Sequence, residues 1–115
     1  MDRMSSEPQP SDAIVVLCTA PSLAVAEALA RSAIEARVAA CVNLIDGVRS
    51  VYRWEGAVCN EPEVQLVFKT TRERAEALRE LIAREHPYEV PEILSLPVDP
   101  GLSGASYLRF VRDSV

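Results

Sequence analysis

EVQLVFKTTRERAEALRELIAREHPYEVPE, residues 63–92, decides the fold, because within it the apolar period changes from that of a strand to that of a helix. From Glu63 to Thr70 the residues alternate, with Val64, Leu66 and Phe68 on one side and Gln65, Val67 and Lys69 on the other. Thr70-Thr71-Arg72-Glu73 then fits a capping box, a hydroxyl at the N-cap and a glutamate three residues on. Ala75, Leu78, Leu81, Ile82 and Glu85 follow at helical spacing. Pro87 ends the helix by disfavouring helical geometry at His86.

Outward from this unit the same signals repeat. Ala13–Thr19 is a short apolar run that predicts a buried strand, and Pro21 punctuates it. Ser22–Arg37 predicts a helix with Leu23, Ala26, Ala30, Ala33 and Ile34 on one face. Val38–Ile45 predicts a second strand, which Asp46-Gly47 interrupts as a turn or a bulge. The extended pattern resumes over Val48–Glu55, with Tyr52 and Trp54 on one face, Arg53 on the other, and a reversal at Gly56. Cys59 falls in a polar stretch read as a loop. Glu92–Val98 is the last strand, and Pro97 places it at a sheet edge or a strand end, since proline cannot donate to a ladder. Ser103–Arg112 closes the chain as a short helix with Tyr107, Leu108 and Val111 inward.

The order is βαββαβ plus a C-terminal helix, the split βαβ arrangement of ferredoxin-like α+β folds. Both long helices then cover one face of an antiparallel sheet. The other face is expected to be bare and apolar, with Val15, Val42 and Val67 on it, and self-association is the simplest cover.

Composition narrows the function. A chain of 115 residues, 49 % hydrophobic, makes one domain with a core of its own, here residues 13–115. Residues 1–12, polar and rich in Ser and Pro, read as a disordered tail without signal-peptide character. The net charge of -5, without a basic cluster, argues against nucleic acid, and no apolar run is long enough for a membrane span. Three cysteines with no C-x-x-C pair favour reduced thiols and a cytoplasmic setting. Four glycines, none clustered, exclude a phosphate-binding loop.

No catalytic constellation stands out, so a binding or regulatory protein is expected rather than an enzyme. Cys18, Glu85 and His86 offer a thiolate, a carboxylate and an imidazole, donors that suit copper or zinc. Each also has an ordinary reading, Cys18 as core and His86 as the end of a helix. Cys41 reads as core and Lys69 as half of a solvated ion pair with Glu61 or Glu89.

The run His86-Pro87-Tyr88-Glu89-Val90-Pro91-Glu92 is not explained by periodicity. It resembles the signature of the CutA family of divalent-cation tolerance proteins. VLCTAP at 16–21, AACVN at 39–43, SVYRWEG at 50–56 and FKTT at 68–71 look like further family segments in the same order. The resemblance covers the chain from Ala13 onward. It implies a ferredoxin-like homotrimer similar in build to PII signalling proteins, located in the cytoplasm and linked to tolerance of divalent ions, chiefly copper. Some relatives bind copper through a cysteine matching Cys18 and two adjacent histidines before the Pro-Tyr; here the second is His86 and the first position is Glu85. A carboxylate is a harder and weaker copper ligand than imidazole, so the metal expected at Cys18, Glu85 and His86 is copper or another divalent cation. The alternative is a PII-like regulatory module that takes a small molecule or a partner protein in clefts between subunits, lined by Tyr52, Trp54, Lys69 and Glu89.

Overall fold

The computed structural model describes residues 7, 9 and 12–115. Most of the expected tail lies outside the described residues. Asp12 already belongs to the fold, since its carbonyl accepts from the Arg72 N–H at 2.9 Å.

The elements run β1 (Ala13–Ala20), α1 (Leu23–Glu35), β2 (Cys41–Trp54), β3 (Ala57–Thr71), α2 (Arg72–Glu85), β4 (Leu94–Pro97) and α3 (Ala105–Asp113). The four strands form one antiparallel sheet in the order β2-β3-β1-β4, the ferredoxin-like arrangement expected. Pro97 sits on the edge strand, where its missing N–H costs no ladder bond.

The core lies between the sheet and the two long helices. Ile14, Val16, Cys18 and Ala20 of β1 pair across with Thr70, Phe68, Leu66 and Val64 of β3, and all eight are buried. α1 contributes Ala26, Leu29 and Ala33, and α2 contributes Leu78, Leu81 and Ile82. Leu23 and Ile34, expected on the buried stripe of α1, are exposed; Leu29 takes that role one turn along. α1 ends in a Schellman motif, in which the Val38 N–H bonds the Ala33 carbonyl and the Arg37 N–H bonds that of Ile34. Arg37 holds the left-handed position, φ 59°, that glycine usually takes.

Several sequence expectations are corrected. β2 is one strand from Cys41 to Trp54, bent by a bulge between Ile45 and Val48, where Gly47 adopts φ 82°. β3 begins at Ala57 rather than Glu63, so Cys59 is a strand residue opposite Tyr52 and not part of a loop. The polar run Cys59-Asn60-Glu61-Pro62 hides this strand, because it belongs to a two-stranded ribbon with little to bury. Glu55 and Gly56 close that ribbon with φ 50° and 84°, the geometry of a two-residue type I′ turn.

The N-cap of α2 is Thr71, and its side chain makes no capping bond. Among the described residues its Oγ1 is buried without a partner, while Thr70 Oγ1 donates to the Val38 carbonyl at 2.7 Å. Val42 pairs with Phe68 and so lies on the helix-covered face, at the rim between α1 and β2 rather than on the bare one. The reverse face carries Val15, Leu17, Val67, Leu94 and Leu96, and it is only partly bare. α3 packs against β3 and β1 there, burying Val111 apart from the main core. Tyr107 remains 46 % exposed rather than turned inward.

Candidate functional site

At one end of the sheet, the chain leaving α2 folds back over the last residues of β1. His86 is buried and its Nε2 lies 2.7 Å from the Thr19 carbonyl. The Tyr88 N–H donates to His86 Nδ1 at 3.1 Å, so Nδ1 carries no proton and Nε2–H donates to Thr19. The Tyr88 ring packs against the imidazole, with centroids 4.7 Å apart, and its hydroxyl donates to Glu63 Oε2 at 2.6 Å. Burial, followed by that bond and the Glu63 charge, pushes the Tyr88 hydroxyl pKa well above the usual tyrosine range.

These contacts frame a cleft of about 580 Å³ between the ribbon and residues 88–92. Tyr52, Trp54 and Val51 supply one wall, Glu89, Val90 and Glu92 the other, and Glu63 the floor with Tyr88. Register explains the grouping: Ser50, Tyr52 and Trp54 alternate onto the reverse face of β2 next to Glu63 of β3. Tyr52, Trp54 and Glu89 line this cleft within one chain, whereas the cleft expected from the sequence lies between subunits.

Lys69 does not join them. It stands six residues along β3 from Glu63, roughly 20 Å away at strand rise. Its ammonium donates to Asn43 Oδ1 and lies 3.7 Å from Cys41 Sγ, so neither Glu61 nor Glu89 is its partner.

Of the three expected metal-ligating side chains, Cys18 and His86 meet at the Thr19 carbonyl, whereas Glu85 bonds to α1. Cys18 faces the core, fully buried, with its thiol 3.6 Å from the Thr19 carbonyl. Burial above all, and then the charges of Glu92 and Glu63, raise its pKa to about 12. Glu85 Oε2 accepts from Ser32 Oγ at 3.1 Å, bridging α2 to α1. Both ring nitrogens of His86 are engaged with backbone. Among the described residues no group of three His, Cys, Asp or Glu side chains could hold a metal ion.

Glu63 and Glu92 are the site residues sequence reasoning missed. Alternation puts Glu63 on the reverse face, but only the fold brings Tyr88, 25 residues away in the chain, over it.

Fold and cleft together define a ferredoxin-like α+β domain with a carboxylate- and aromatic-lined cleft at one end of its sheet. The sequence profile described as CutA1 divalent ion tolerance protein matches residues 14–114. The chain belongs to the CutA1 divalent ion tolerance family. The divalent-cation tolerance protein CutA of Yersinia pestis is 50 % identical over 105 residues, 91 % of this chain and 87 % of that one. CutA of Xylella fastidiosa superposes with a TM-score of 0.87 at 31 % identity, covering 90 % of this chain and 98 % of its own. The protein described as PII-like CutA of Nostoc sp. PCC 7120, in apo form, gives 0.82 at 38 % identity over 88 % and 95 % of the two chains. No helix among the described residues is long and apolar enough to cross a membrane.

Proposed function

We propose that this protein is a homotrimeric, PII-like regulatory member of the divalent-cation tolerance family that works by binding a small ligand in the cleft between the ribbon and residues 88–92. The observation that carries this reading is Glu63. It is 8 % exposed, its one side-chain partner among the described residues is the Tyr88 hydroxyl, and it lines the cleft with Tyr52 and Trp54. A buried polar floor under aromatic walls is the usual composition of a small-molecule site.

Two features support self-association. β1 pairs only with residues 64–71 of β3, so the ribbon beyond it has a single layer of partners and leaves Val51 and Val58 exposed on the face opposite to Tyr52 and Trp54. An isolated two-stranded ribbon is marginal in water, and sister copies packed against it would supply the missing contacts. Leu94 and Leu96 on β4 are likewise exposed, at a sheet edge able to pair.

Copper held by Cys18, Glu85 and His86 is the competing reading. It requires His86 to give up one of its two backbone bonds and Cys18 to ionise in the core.

Native mass spectrometry of the chain purified in the presence of a chelator tests the choice. The expected result is a trimer with a retained small molecule, lost from Trp54→Ala. A monomer, or a trimer that keeps only copper and loses it in Cys18→Ala, overturns the proposal.

A further inference from the structure

We infer that Cys41 and Lys69 are a redox-driven cross-linking pair, in which hydrogen peroxide converts the Cys41 thiol to a sulfenic acid and the Lys69 amine closes on it, giving a sulfur–nitrogen bond between β2 and β3. The pair lies outside the cleft, and both residues belong to one chain, so no second copy is needed to assemble it.

Register brings the two groups together. Cys41 is the first residue of β2 and stands directly opposite Lys69 in the ladder, and the Ala40 N–H bonds the Lys69 carbonyl at 2.7 Å. Residues directly opposite one another share a face of the sheet. The lysine arm folds back along that face, so its ammonium lies 3.7 Å from Cys41 Sγ while donating to Asn43 Oδ1. The Tyr107 hydroxyl reaches the same sulfur from α3: burial first, and then a hydrogen bond with Cys41, hold its pKa above the usual tyrosine value. The thiol is half-buried and open to a small oxidant.

Composition sharpens the assignment. Lys69 is the only lysine of the chain, and the other basic side chains apart from His86 are arginines. A guanidinium keeps its protons and cannot act as a nucleophile, whereas a lysine can lose one and attack. Cys18 is sealed in the core, and Cys59 stands opposite Tyr52 in the ribbon. The one amine side chain is therefore held against one of three thiols.

The steps balance. The Cys41 thiolate attacks peroxide, the O–O bond breaks, and a sulfenic acid and hydroxide form; the sulfur loses two electrons and the peroxide gains them. The Lys69 nitrogen then attacks that sulfur and displaces its hydroxyl. Of the three ammonium protons one is released to solvent, one leaves with the hydroxyl as water and one stays on nitrogen. A dithiol reverses the link, returning thiol and amine as it is itself oxidised to a disulfide. Closing the bond spares Cys41 the irreversible step to sulfinic acid.

A chain with one lysine makes the link easy to read. The reduced protein is exposed to hydrogen peroxide, weighed intact by mass spectrometry, and digested under denaturing, non-reducing conditions with a protease that cleaves after lysine. The expected result is a loss of two hydrogens per chain and no cleavage after Lys69, both reversed by dithiothreitol. Lys69→Arg keeps the charge and removes the nucleophile. In that variant Cys41 should stop at the sulfenic acid, and its labelling by dimedone should rise at least about ten-fold, because an amine already in place outruns a reagent from solution. Equal dimedone labelling in the two proteins, undiminished cleavage after Lys69, or recovery of Cys41 as a disulfide with another copy overturns the inference. A loss of two hydrogens with a gain of one oxygen puts that oxygen between nitrogen and sulfur and overturns the direct bond. A loss of two hydrogens that persists in Cys41→Ser assigns the link to another thiol and overturns the pair.

Discussion

The imidazole of His86 and the carbonyl of Thr19, 67 residues apart in the chain, are joined by a 2.7 Å hydrogen bond that fastens the segment after α2 to the end of β1. The bond fixes the tautomer, because the Tyr88 N–H occupies the other ring nitrogen. It also sets Tyr88 over Glu63. One histidine thus shapes a cleft it does not line.

His86→Ala removes both bonds, leaving the Tyr88 N–H without a partner and the Thr19 carbonyl with only the weak Cys18 thiol donor. A loss of about 2–3 kcal/mol is expected in urea unfolding, the cost of orphaning buried polar groups. Copper affinity, followed by calorimetry on the folded variant, is expected to change little. A large fall in affinity with stability unaltered would identify His86 as a ligand instead.

Cys18 makes the protein sensitive to alkali. Its folded pKa of about 12 exceeds the unfolded value of 9.0, so the bound proton favours the folded state. That contribution is complete below pH 9 and is lost as pH rises from 9 towards 12. At pH 10 the fall is about 1.4 kcal/mol from this thiol, and Tyr88, raised for similar reasons, adds to it at higher pH. Urea midpoints at pH 7 and 10 measure the slope, which should be shallower in Cys18→Ala. In the native protein at neutral pH, iodoacetamide should modify the half-buried Cys59 and Cys41 before Cys18, as read by peptide mass mapping.

Thr71 is a cap without a capping bond. Its Oγ1 is buried and has no partner among the described residues, so Thr71→Val exchanges an unsatisfied hydroxyl for a methyl of the same shape. The change should stabilise the protein by about 1 kcal/mol, whereas the same substitution at Thr70, which donates to Val38, should cost about 1–3 kcal/mol. Thermal unfolding of the two variants separates the cases by sign.

Arg37 and Glu55 hold left-handed conformations with φ 59° and 50°. Arg37→Gly at the end of α1 and Glu55→Asn in the ribbon turn should each raise stability by about 0.5–1 kcal/mol. Denaturant midpoints check this, and a loss at either position would mean that its side chain makes contacts worth more than the strain.

The elements were legible where burial imposes a period. Val64, Leu66 and Phe68 marked the core face of β3, and Pro87 marked the end of α2. Legibility failed where a strand buries little, as at Cys59 in the ribbon, and where two hydroxyls in a row competed for one cap, as at Thr70 and Thr71. Val42 was placed on the wrong face because the run Val38-Ala39-Ala40-Cys41-Val42 is apolar at every position and gives no alternation to mark a face. The C-terminal helix was expected, but its place over the reverse face was not, since α3 has one buried residue, Val111, to announce it.

The sequence by itself determined the order of strands and helices, the split βαβ topology and the family, all properties of local period and of motifs read along the chain. Only the tertiary structure decided what surrounds each chemical group. Cys18 and His86 look like metal donors in sequence, yet packing turned one into the core and spent both nitrogens of the other on backbone. Glu63 looks like an ordinary strand start, yet the returning segment buried it beneath Tyr88. Desolvation and hydrogen bonding depend on neighbours distant in the chain, and no local pattern encodes them.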